Sequence, residues 1–98
     1  YLNNKRTYVK FEYDEKKSQI NKEKHNIDFV EAQKLWQDEE ALIIPANIVD
    51  NEIRYALISK ILTKCFVVIF TIREDTNRII SVRRCRKNEE KNYENNNS

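Results

Sequence analysis

The eight residues CFVVIFTI at 65–72 constrain this chain more than any other stretch. All but Thr71 are apolar, and the run is rich in β-branched and aromatic side chains, so it reads as a central strand covered along much of its length. The other elements must be arranged around it. VKFEYD at 9–14 alternates Val9, Phe11 and Tyr13 with Lys10, Glu12 and Asp14, the period of a half-buried strand. Residues 54–61 read as another strand. Alternation resumes over 78–86, with Ile80 and Val82 on one face against Ile79, Ser81 and Arg83 on the other. ALII at 41–44 is stopped by Pro45, as expected of a strand ending at a sheet edge.

Between the first strand and ALII the pattern changes to helix. Asp14 stands where an N-cap would, DEKKSQINKEKHN follows with Ile20 as its one large apolar residue, and Asn26 suits a left-handed C-cap. Asp28 and Glu31 form an acidic variant of the capping box, so a second helix starts at Phe29 with Phe29, Ala32, Leu35 and Trp36 as its apolar stripe. Asn88 is placed to cap a short last helix running through Glu89 to Tyr93. The expected class is α+β: an antiparallel sheet of four to five strands, two N-terminal helices on one face and a short C-terminal helix. Residues 9–94 form a single domain on this reading, with a flexible extension at 1–8 and a disordered tail at 95–98.

Several function classes drop out. The chain has no glycine, hence no phosphate-cradling loop of the kind that needs close backbone approach. Cys65 and Cys85 match no zinc spacing and are expected to be reduced, buried thiols; no metal site is expected. No apolar run reaches the length of a membrane span, so a soluble, cytoplasmic protein is expected, with no membrane partner. Net charge is only +2, but its distribution is lopsided. Residues 31–52 hold six acids and one base, whereas 54–98 hold ten bases and five acids, four of the bases within RRCRK at 83–87. One histidine, several arginines and lysines, and a glutamate and a tyrosine near the C-terminus remain as the chemical inventory. These are the side chains a metal-independent ribonuclease would use to activate a 2′-OH, hold the phosphorane and protonate the leaving oxygen.

FEYDEKK, the following Asn21, and KHNIDFVEA resemble the opening of BrnT-type toxins of bacterial toxin–antitoxin pairs, through Phe11, Tyr13, Asp14, Lys17, Asn21, Lys24, His25, Phe29, Glu31 and Ala32. RIISVRRCRKNEEKNYE is similar to a second block of that family, through Arg78, Ile79, Ile80, Ser81, Arg83, Glu89 and Tyr93, and Glu52 and Arg54 supply its middle-strand pair. Asn26 and Ser59 stand where the family commonly has glycine. The resemblance implies a RelE-like fold and a metal-independent, cofactor-free endoribonuclease that inhibits translation. It also implies neutralisation by a BrnA-like, DNA-binding antitoxin, so that any contact with DNA is indirect. Carried over by position, the catalytic set is His25, Arg54, Arg83 and Tyr93, with Glu89 as a further acid–base candidate. Lys17, Lys24, Arg84, Arg86 and Lys87 are expected to hold RNA phosphates.

Plainer readings compete. A cationic His25 is stabilised by the dipole at a helix C-terminus, RRCRK is a generic anion patch, and Tyr93 pins the last helix to the sheet. The chain is then a non-catalytic RNA- or protein-binding domain. The enzyme reading expects His25, Arg54, Arg83 and Tyr93 to meet in one cleft; the binding reading tolerates their dispersal.

Overall fold

The computed structural model describes residues 9–96, so the extension expected at 1–8 and the last two residues of the expected tail lie outside the described residues. The elements run β1 (Lys10–Glu12), α1 (Glu15–His25), α2 (Phe29–Ala32) continuing as a 3-10 turn (Gln33–Gln37), β2 (Leu42–Val49), β3 (Glu52–Ile61), β4 (Lys64–Arg73), β5 (Thr76–Arg84) and α3 (Lys87–Asn96). They build one five-stranded sheet in the order β1-β5-β4-β3-β2, with CFVVIFTI at its centre. The sheet is mixed rather than antiparallel, because β1 pairs parallel with β5. Only β2 to β5 are joined by hairpins; β1 is carried back to the sheet by the helical segment, which frees its direction from the hairpin rule.

All three hairpins have two-residue loops, made without glycine. Asp50 and Asn51 (φ 50° and 65°) join β2 to β3, and Glu74 and Asp75 (φ 46° and 71°) join β4 to β5, both with the paired positive φ of a type I′ turn. Leu62 (φ 57°) opens the β3–β4 loop. Asn and Asp tolerate this region; Leu62 and Glu74 each cost about 1 kcal/mol there.

One face of the sheet carries the main core. Leu57, Phe66, Val68, Phe70, Ile79 and Val82 are buried beneath Phe29, Ala32 and Leu35, with Trp36 set edge-on between Phe11 and Phe70. Each fully buried large side chain contributes roughly 1.5–3 kcal/mol. The second helix is shorter than its stripe suggests, since the turn that holds Leu35 and Trp36 is 3-10. Its capping box is present, Asp28 accepting from the Glu31 N–H and Glu31 from the Asp28 N–H. α1 is held differently, because its buried residues are the polar Ser18 and Asn21. Ser18 Oγ accepts from the Phe29 N–H, while the Asn21 amide donates to the carbonyls of Ile27 and Val82 and accepts from the Val82 N–H. β1 is too short to cover β5 at Val82, so this side chain takes the place of a neighbouring strand there. Asn26 closes α1 in the left-handed conformation (φ 62°).

Four sequence expectations need correction. The strand that starts at ALII does not stop at Pro45: β2 continues to Val49 through a bulge at Ala46, which an edge strand accommodates. α3 is capped at Arg86, whose carbonyl accepts from Glu89 and Glu90 and whose N–H donates to the Glu89 carboxylate; Asn88 lies inside the helix, which runs on through residues 95 and 96. Cys65 and Cys85 form a disulfide rather than two thiols. The register of β4 on β5 sets them opposite each other, Cα atoms 5.3 Å apart, with the Cys85 N–H on the Cys65 carbonyl. The fourth concerns β5, where Phe70 faces Ile79 and Ile69 faces Ser81, leaving Ile80 as a bulge. Ile79 and Val82 therefore share the core face, and Ser81 and Arg83 point to the other side.

Candidate functional site

The face of the sheet away from α2 is covered only in part. Tyr93 of α3 packs over Ala56, Ile58, Cys65 and Val67, which closes one end. Beyond it the register sets Arg54, Thr71 and Arg78 side by side on three adjacent strands. Arg78 and Arg83 are five residues apart, so an unbroken β5 would aim them to opposite faces. The bulge at Ile80 restores them to one face. Arg54, Arg78 and Arg83 therefore project from this side of a five-stranded sheet, as does Arg73, which is paired with Glu52.

Their partners differ. Arg78 Nη1 makes an ion pair with Glu12 of β1 at 3.3 Å. Arg54 is half-buried, and its Nε is buried without a hydrogen-bond partner among the described residues. Arg83 is held by a bidentate pair to Glu89, 2.8 and 2.7 Å, and its Nη1 also donates to the Arg84 carbonyl. The hydrogen bonds from Arg83, with a further one from the Arg86 N–H, bring the Glu89 carboxyl down to about 2, and Arg83 is raised in return. Glu89 is consequently ionised throughout the neutral range, so it cannot act as an acid there while this pair lasts.

Tyr93 is likewise engaged. Its hydroxyl donates to Asp38 Oδ2 at 2.7 Å, and burial together with that carboxylate pushes the phenol well above its ordinary value. Asp38 Oδ2 also accepts from the Lys60 N–H, and the Ser59 hydroxyl stands 2.9 Å from both Asp38 Oδ2 and the Leu35 carbonyl, with one proton to share. Burial alone would raise the Asp38 carboxyl; these donors outweigh it and bring it below the usual range. Asp38 thus seals the free edge of β3 beyond β2 and ties the two layers together around it. Sequence reasoning had no signal for this role beyond an acidic residue after a helix. Ser59, at a position where glycine is common in the resembling family, is buried and used here.

His25 lies in the last turn of α1, exposed and without a hydrogen bond to another side chain among the described residues. Asn26 beside it lines a hollow with Leu62, Lys64 and Phe66, and Arg84 stacks over the Phe66 ring at 5.5 Å, so His25 and Arg84 flank the same end of the sheet. Arg86 and Lys87 are exposed where α3 begins, at that end too, and Lys24 precedes His25. Lys17 is exposed in the first turns of α1. By sheet spacings, Arg54 and Arg83 are two strands and four residues apart, roughly 16 Å between Cα atoms. The expected catalytic residues therefore stand apart: Arg83 lies at a cationic end with Lys24, His25, Arg84, Arg86 and Lys87, Tyr93 is turned to Asp38, and Arg54 lies in a row with the non-candidate Arg78. Arg78, present in the sequence block but outside the candidate set, is the residue that the bulge adds to the face.

Such an array has the sign of charge that a polyanion attracts, and comparison with known families narrows the class. Residues 13–89 match the family described as the ribonuclease toxin BrnT of type II toxin–antitoxin systems. The match covers over three quarters of the chain, so this protein belongs to the BrnT family: a ribonuclease toxin with an RNA substrate and a cognate antitoxin. The matched segment includes His25, Arg54, Arg83 and Glu89 and ends before Tyr93. No match to a curated protein is found.

Proposed function

We propose that the chain is a metal-independent endoribonuclease that cuts RNA through the adjacent ribose 2′-OH, leaves a 2′,3′-cyclic phosphate and thereby inhibits translation. In this step the 2′ oxygen bonds to phosphorus, its proton passes to a base, the P–O5′ bond breaks, and an acid protonates the departing 5′ oxygen. His25 and Tyr93 are the proposed proton-transfer groups, with Glu89 as a further candidate for the base. Arg83 stabilises the phosphorane, and Arg54 takes a neighbouring phosphate, as their separation favours. Lys17, Lys24, Arg84, Arg86 and Lys87 hold flanking phosphates. RNA entry requires the Arg83 guanidinium to exchange the Glu89 carboxylate for a phosphate. It also requires Tyr93 to leave Asp38 if the phenol is to transfer its proton.

The observation that carries this reading is the alignment of Arg54, Arg78 and Arg83 on one sheet face by the β5 bulge, in a chain of this family. The antitoxin on this reading is BrnA-like and DNA-binding, with an acidic segment that covers Arg83, and the toxin acts in the cytoplasm, where its RNA is. Among the described residues no helix is long and apolar enough to cross a membrane.

End-labelled RNA incubated with the purified chain in EDTA tests the proposal. Cleavage is expected to persist, to leave cyclic-phosphate ends, and to fall about 10²–10³-fold in Arg83→Ala. Intact RNA, or equal cutting by a folded Arg83→Ala protein, sinks the mechanism and favours a binding domain.

A further inference from the structure

β2 is the outermost strand, and among the described residues no strand pairs with its free edge. Exposed edges are ordinarily kept short, charged, covered, or interrupted by proline or a bulge, because a row of open N–H and C=O groups recruits another strand. β2 is eight residues long, about 26 Å, and LIIPANIV contains no charged residue. Pro45 and the bulge at Ala46 interrupt it once. Ile43 and Ile48 are 52% and 70% exposed, and Ile53 on β3 and Ile72 on β4, level with Ile48, are 47% and 52% exposed. A lone exposed isoleucine is ordinary; a group of them beside an open edge marks an interaction surface.

The charges around the strand select the occupant. Glu39 and Glu40 precede β2 and Asp50 follows it. A second copy paired antiparallel about the middle of β2 would set Glu39 and Glu40 of one chain beside Asp50 of the other, at both ends of the pair. A strand with an apolar middle and basic ends meets opposite charge instead.

We propose that the β2 edge is the docking site for a strand of the cognate antitoxin, apolar in its middle and carrying Lys or Arg at each end, which adds to the sheet as a sixth strand. This rests on the reading of the chain as a toxin held by an antitoxin. β2 and β5 are separated by two strands, so capture at β2 is spatially distinct from occlusion of Arg83. One antitoxin segment grips the toxin while another covers the arginine face.

Amide hydrogen exchange is to be measured on the toxin alone and in its complex with the cognate antitoxin, alongside the binding and RNA cleavage of Ile43→Lys/Ile48→Lys. Exchange in β2 is expected to slow at least about tenfold in the complex, and the double variant to bind about tenfold or more weakly while still cutting RNA. Unchanged β2 exchange in a formed complex overturns the proposal and leaves the ribonuclease reading intact if the free chain cuts RNA. Protection that appears in the toxin alone as its concentration rises overturns it in favour of a second copy. A chain that neither cuts RNA nor binds antitoxin overturns both. The wild-type exchange decides if the double variant misfolds.

Discussion

Replacing Glu89 by Gln removes one charge from the Arg83 pair while keeping an amide oxygen able to accept from Arg83 and from the Arg86 N–H. The Glu89 carboxyl is lowered from 4.5 to about 2, and at about 1.4 kcal/mol per unit that bounds the pair near 3 kcal/mol. Water reaches both side chains, 28% and 17% exposed, so the expected contribution is about 1–2 kcal/mol. A depressed acid stabilises the fold above its unfolded value and loses that stabilisation as pH falls through the folded one. Wild type is therefore expected to exceed Glu89→Gln by about 1–2 kcal/mol at pH 7, with the gap closing between about pH 4.5 and pH 2. Urea unfolding of both proteins across this range measures it. A gap that stays constant with pH, or none at pH 7, refutes the assignment of this stabilisation to the charge on Glu89.

Asn21→Leu keeps the volume of the buried side chain but leaves the N–H of Val82 and the carbonyls of Val82 and Ile27 without their partner. The expected loss is about 2–4 kcal/mol in urea unfolding, and near-neutral behaviour would show that these groups find another partner. Asp38→Ala removes the acceptor shared by Tyr93 and the Lys60 N–H. Stability should fall by about 1–3 kcal/mol and α3 amides should exchange faster than those of β4; equal exchange would mean that α3 is held without Asp38.

Much of the local structure was legible in the residues. The Asp14 cap and the Asp28–Glu31 box follow from side chains reaching backbone groups two or three residues away, the left-handed Asn26 from a residue type that tolerates positive φ, and the structure has all three. CFVVIFTI lies at the centre of the sheet because no other placement hides so many apolar side chains. The motif blocks also pointed to the family, which the match over residues 13–89 bears out.

Contacts between distant segments were not legible. Alternation along 78–86 put Ile80 on one face with Val82 and Ile79 on the other, yet the β4 register makes Ile80 a bulge, and with it Arg78 and Arg83 come to share a face. Cys65 and Cys85 read as separate thiols until the same register set them opposite each other. Asn21 was marked only as a motif position and Asp38 not at all, but each finishes a strand edge that a short neighbour leaves open. The sequence by itself determined the caps of α1 and α2 and the central strand, because each depends on nearby backbone or on burial along one segment, and its motif blocks pointed to the family. Which cations share a surface, which carboxylate holds Arg83 and which strand edge stays open were decided only by tertiary structure, since strand register is a property of two segments at once.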